Sequence, residues 1–109
     1  MNEIRDTHKQ MLYQAEHFGL KNRMNICIEE CAELIQALCK NQRFFENDVT
    51  MNKTLKEVSD NVIEEIADVE ICLKQIKYLM GITQDVEEVK AEKIKRTERL
   101  LRENKNVKS

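Results

Sequence analysis

Residues 28–40, IEECAELIQALCK, and residues 62–76, VIEEIADVEICLKQI, decide the fold. Each places apolar side chains at intervals of three and four, the spacing of one helix face, and each sets carboxylates into that face. At about 100° per residue, Cys72, Ile76, Val69 and Val62 all fall within roughly 60° of Glu65. Glu65 is thus near the middle of an apolar stripe, with Asp68 one turn on at its edge. Glu64 points well away, on the side of Gln75 and Ile71, and reads as flank charge. In the earlier stretch Glu30 is bracketed by Ala37, Ile26 and Leu34, with Cys27 and Leu38 next around. Glu33 stands at that stripe's edge, and Glu29 sits further out, near Lys40 and Gln36.

Gly19 and Gly81 punctuate the pattern around these two stretches. Before Gly19, Ile4, Met11, Ala15 and Phe18 recur at helical spacing and predict a first amphipathic helix. The second helix is expected from about Leu20 to about Lys40. From Asn41 to Lys53 the pattern dissolves into Asn, Asp, Thr and charge around Phe44 and Phe45, which reads as a loop. Thr54 with Glu57 makes a capping box for a third helix reaching about Met80. Asp85 with Glu88 offers another for a fourth, which frays near Asn104 and leaves 104–109 as a loose tail. The expectation is one all-α domain over 1–109, an antiparallel bundle of about four helices.

Composition agrees. The 109 residues include no proline, two glycines and only 5% aromatic residues, too little turn and strand chemistry for a sheet protein. A net charge of −2, with 35% charged residues of both signs, predicts no general attraction to nucleic acid or to an anionic membrane. No apolar run approaches membrane-spanning length and the N-terminus does not resemble a secretory signal. A cytoplasmic setting is expected, with Cys27, Cys31, Cys39 and Cys72 as free thiols.

An unpaired carboxylate in an apolar face is costly, so Glu30 and Glu65 need a positive partner. Two i, i+3 acidic pairs, Glu30 with Glu33 and Glu65 with Asp68, could converge on one point between antiparallel helices. Neither His8 nor His17 stands three residues after a glutamate, and all-oxygen ligation suits Mg²⁺ or Mn²⁺ better than zinc or iron. Mg²⁺ commonly shares its shell with waters or phosphates, which implies a phosphate-bearing ligand. The competing reading is a structural ion pair at a helix crossing.

Among the basic residues, Lys93 falls on the fourth helix's stripe between Val89, Leu100 and Val86, with Arg96 at its edge. Both are candidates for phosphate contact, although a snorkelling stem explains Lys93 equally well. Cys27 and Cys31 are one turn apart, yet they share the stripe with Leu34 and Leu38 and read as core-filling thiols rather than zinc ligands. Apolar residues on the second helix run from Ile26 through Leu34, Leu38, Cys31 and Ile35 to Ile28 and Cys39. That arc is wider than one neighbouring layer needs, and it predicts a homo-oligomer.

Read together, Glu29-Glu30-x-x-Glu33 and Glu65-x-x-Asp68 resemble the signature of the MazG-like all-α nucleoside triphosphate pyrophosphohydrolases. The two opening stretches and KIKRTERL, residues 93–100, resemble small bacterial and phage members, and the likeness spans about Phe18 to Leu101. The resemblance implies a helical bundle assembled as a homodimer or homotetramer. It implies Mg²⁺-dependent hydrolysis of a nucleoside triphosphate to the monophosphate and pyrophosphate. Glu30, Glu33, Glu65 and Asp68 would be the metal ligands, and Glu29 would orient or deprotonate the attacking water. Lys93 and Arg96 would touch phosphate. The long segment between the motifs, with Phe44 and Phe45, departs from the pattern. Phosphoribosyl-ATP pyrophosphohydrolase shares the acidic logic, but its basic stretch before the first Glu pair is not seen here. From other classes, a helical oligomerisation module and a non-catalytic nucleotide or metal sensor are the rivals.

Overall fold

In the computed structural model the chain forms four helices and no strand among the described residues, which are 2–46 and 53–103. The side chain of Ile4, the middle of the expected loop at 47–52 and the expected tail at 104–109 lie outside them. Helix α1 spans Asn2–Phe18, α2 Leu20–Phe45, α3 Leu55–Met80 and α4 Thr83–Arg102.

Both glycines act at helix boundaries. Gly19 has φ +83°, a conformation that strains any side chain, and it alone separates α1 from α2. Gly81 closes α3 in the left-handed conformation at φ +67°, with its N–H donating to the Tyr78 carbonyl and the Ile82 N–H to that of Lys77. Thr54 caps α3 as expected: its Oγ1 accepts from the Glu57 N–H at 3.1 Å.

Two boundaries differ from the sequence expectation. Helix α2 continues five residues past Lys40, to Phe45. Asn41 to Phe45 contains no glycine or proline to stop it, and Asn41 and Phe44 are half-buried one turn apart. Helix α4 begins at Thr83 with Ile82 before it, so Asp85 lies in the first turn rather than at the cap. A carboxylate there complements the helix dipole without capping it.

Helices α2 and α3 form the main packed pair. Arg23 faces Gln75, Glu30 faces Asp68 and Glu33 faces Glu65, an order that makes the two helices antiparallel. The fully buried residues of this seam, Cys27, Ala37, Val58, Val69 and Cys72, are small, and Ile26, Leu34, Val62 and Ile76 beside them are half-buried. Helix α1 lies across α3, where fully buried Gln75 donates its side-chain amide to the Met11 carbonyl at 3.0 Å and Tyr78 donates its hydroxyl to Glu16. Gln75 lies on the flank read as outward from the wheel. That side of α3 is covered because α1 packs on it.

Helix α4 packs on α3 and on no other described helix. It has no buried residue. Among the described residues the core holds nothing larger and apolar than valine, while Ile28, Ile35, Ile63 and Ile94 are each more than 60% exposed. The radius of gyration is 17.8 Å, against about 13 Å for a compact domain of 100 residues. No helix among the described residues is long and apolar enough to cross a membrane.

The Thr54 cap gives a direct check on the start of α3. Thr54→Ala should cost about 1 kcal/mol in urea unfolding followed by circular dichroism at fixed protein concentration. An unchanged midpoint would show that α3 does not depend on that hydroxyl.

Candidate metal centre

Midway along the α2–α3 seam the antiparallel register brings the two acidic clusters face to face. A carboxylate oxygen from each of Glu30, Glu33 and Glu65 lies within 4.8 Å of the others. A second group, sharing Glu65, joins Glu64, Glu65 and Asp68 within the same distance. Three of the four expected ligands, Glu30, Glu33 and Glu65, therefore meet at one place, and Asp68 adjoins them through Glu65. Oxygens on opposite sides of a Mg²⁺ or Mn²⁺ ion stand about 4.2 Å apart, twice a metal–oxygen bond of about 2.1 Å. The observed spacing needs only small side-chain adjustments to reach it.

The burial of the cluster is uneven and informative. Glu30, Glu65 and Asp68 are half-buried, whereas Glu33 and Glu64 are exposed, so one side of the cluster opens to solvent. The innermost oxygens, Oε2 of Glu30 and of Glu65, are buried and have no hydrogen-bond partner among the described residues. Buried polar atoms nearly always find a partner, so two carboxylate oxygens without one in the same cluster call for an explanation. None of the five carboxylates forms an ion pair with a described residue; those seen, such as Lys56–Asp60 and Arg102–Glu98, lie elsewhere.

Electrostatics register the same crowding. Burial, then the charges of Asp68 and Glu33, raises the Glu30 carboxyl from its ordinary 4.5 to about 7. Glu65 is raised too, first by burial and then by Glu33 and Asp68. Without a cation the cluster holds protons that ordinary glutamates would lose.

The other expected site residues stand apart. Glu29 is exposed and belongs to neither carboxylate group. Lys93 and Arg96 are exposed on α4 and form no ion pair with the cluster, so they are not its neutralising partners within this chain. Conversely, Glu64 joins the cluster despite its flank position, because its side chain reaches back toward Glu65 and Asp68. Repetition was the available signal: Glu64-Glu65 echoes Glu29-Glu30.

The cysteines are free. Cys27 and Cys72 are buried in the seam below the carboxylates, and Cys27 Sγ lies 4.0 Å from Cys31 Sγ. Burial first, and then the Cys31 contact, pushes the Cys27 thiol up to about 11, which keeps it a core-filling thiol rather than a nucleophile.

No protein-family profile matches the chain, and neither the curated proteins nor the solved structures hold a significant match to it.

A pH series tests the cluster. Because the carboxyls bind protons more tightly in the folded chain, their contribution to stability is fully present below the unfolded value near 4.5 and is lost as pH rises through about 7. The melting temperature of metal-free protein should therefore carry a downward contribution across that window, which Glu30→Gln reduces. Mn²⁺ should raise the melting temperature at about pH 8 far more than at about pH 5, where protons compete for the oxygens. Equal effects of Mn²⁺ at both values would count against a carboxylate site.

Proposed function

We propose that this chain is a Mg²⁺-dependent nucleoside triphosphate pyrophosphohydrolase of the MazG-like kind, converting a ribo- or deoxyribonucleoside triphosphate to the monophosphate and pyrophosphate. The observation that supports it best is the pair of buried, unpartnered oxygens on Glu30 and Glu65, set within a cluster of carboxylates that faces solvent on one side. A purely structural cluster would need cations from the chain or retained protons, and no cation pairs with it among the described residues.

Glu30, Glu33, Glu65 and Asp68 would hold the metal, with Mn²⁺ able to replace Mg²⁺ on the same oxygens. When bound, the ion would offset the triphosphate's negative charge and make water a better nucleophile near neutral pH. The carboxylates fix where the polyphosphate lies, and the apolar walls of the seam, Val69 and Cys72 among them, limit water to the open side. Hydrolysis then adds one water across the anhydride bond between the α and β phosphoryl groups, and pyrophosphate leaves. Glu29, next to Glu30 and exposed to solvent, is the proposed proton acceptor for that water. Glu64 extends the acidic rim on the α3 side.

The exposed apolar faces extend the proposal to assembly. Ile28 and Ile35 lie on the side of α2 away from Glu30, Ile63 on the corresponding side of α3, and Ile94 on α4. So much exposed apolar surface on an elongated chain supports burial against a second copy. Lys93 and Arg96 would meet a phosphate only across such an interface.

Two experiments decide the matter. Purified protein with Mg²⁺ and a panel of nucleotides should release monophosphate and pyrophosphate. Glu65→Gln should cut that turnover at least a hundredfold while the metal-free variant melts no lower than the parent, since it loses a crowded charge. A structural ion pair predicts the reverse, a loss of about 3–5 kcal/mol of stability. Nucleotide binding without turnover would indicate a sensor. In sedimentation equilibrium the particle should be at least twice the 12.9 kDa chain, and Ile28→Asp should lower that mass. A monomeric parent protein would remove the assembly proposal.

A further inference from the structure

We infer that Arg23, which packs against Phe18 at the α1–α2 elbow, is the residue that grips a phosphoryl group of the substrate from the far end of the α2–α3 seam. The inference rests on the pyrophosphohydrolase reading above and names a contact that the reading lacks within one chain.

Arg23 precedes Glu30 by seven residues, which places it within roughly 20° of the same line on α2 and about 10 Å away along the axis. Another seven residues on, that line reaches Ala37, which is buried. Arg23 therefore occupies the face of α2 that packs against α3, and it is half-buried there. A permanent positive charge in that face needs a reason, as the carboxylates do.

Its neighbours are all neutral. The guanidinium lies over the Phe18 ring, 4.5 Å from the centroid. Nη1 donates to Gln75 Oε1 at 3.3 Å, while Nε and Nη2 donate to Asn22 Oδ1 at 3.0 and 2.6 Å. Gln75 is itself anchored by its bond to the Met11 carbonyl. Among the described residues no carboxylate pairs with Arg23. Stacking and three hydrogen bonds thus hold the plane of the group and leave two of its five N–H donors for something else. A fixed guanidinium with spare donors and no counter-ion matches a phosphoryl group, which it can bind through two parallel bonds.

Along the seam between Arg23 and the carboxylates lie Cys27 and Cys72. A polyphosphate held by a cation at the carboxylates and by an N–H···O bond of about 2.8 Å at Arg23 would bridge this stretch. Lys93 and Arg96, on a helix that does not reach α2, make no such bridge in the same chain.

The test uses the full chain and the variants Arg23→Met and Arg23→Lys. Three quantities are read: KM and kcat for a nucleotide the parent hydrolyses, inhibition by inorganic tripolyphosphate, and Mn²⁺ affinity in the absence of nucleotide. Arg23→Met should raise both KM and the tripolyphosphate inhibition constant by about ten- to a hundredfold. Arg23→Lys, which keeps the charge but loses the fork, should fall between, and neither variant should change Mn²⁺ affinity more than about twofold. Should Arg23→Met not fold, Arg23→Lys at unchanged melting temperature decides alone. If the parent turns over nucleotide and the folded variants keep its KM and inhibition constant, this inference fails while the activity stands. If the parent neither turns over nucleotide nor binds tripolyphosphate, both readings fall together.

Discussion

Five carboxyl groups gathered along a two-helix seam, with no cation among the described residues paired with them, form the constraint on which the rest of this structure depends. Like charges in a partly buried site repel, and burial raises the cost of each. The cluster escapes that cost in only two ways, by taking up protons or by taking up a cation. The elevated proton affinity of Glu30 and Glu65 is the first escape, and under the proposed function their unpartnered inner oxygens would serve the second. In this respect the site resembles a spring held by the fold, since α2 and α3 are long helices whose packing elsewhere fixes the approach of the acids.

That packing is lean. Small residues such as Ala37, Cys27 and Cys72 bring the helices close, and the bulky apolar side chains are left on outer faces. A seam lined with Leu and Ile would be more stable alone but would hold the backbones further apart at the carboxylates. Beyond the site, Ile28, Ile63 and Ile94 are exposed. Helix α2 therefore serves two surfaces: one face presents Glu30 and the opposite face presents Ile28 and Ile35.

Most of the architecture was legible in the sequence because its signals are local. Gly19, Gly81 and Thr54 act within a few residues of themselves, and they stand where expected. Periodicity likewise identified Glu30, Glu33, Glu65 and Asp68, because an antiparallel pair with matching stripes has little freedom in where those positions meet. The errors share a different cause. Helix α2 ran past Lys40 because tertiary support at Asn41 and Phe44 outweighed a polar composition. Gln75 proved buried because α1 covers a flank of α3 that no wheel of α3 alone can reveal. Glu64 joined the site through side-chain reach rather than through its angle. Arg23 was accessible to the same wheel, two turns before Glu30, but its meaning came only with Phe18 and Gln75 placed around it.

The central claim is that a divalent cation belongs between α2 and α3. Crystals grown with Mn²⁺ at a pH above about 7.5, measured for anomalous scattering, test it most directly. The account predicts a peak bounded by Glu30, Glu33, Glu65 and Asp68, with Oε2 of Glu30 or Glu65 among the ligands. A well-ordered cluster with no anomalous peak, its carboxyls joined by short hydrogen bonds or neutralised by lysine or arginine, would contradict it.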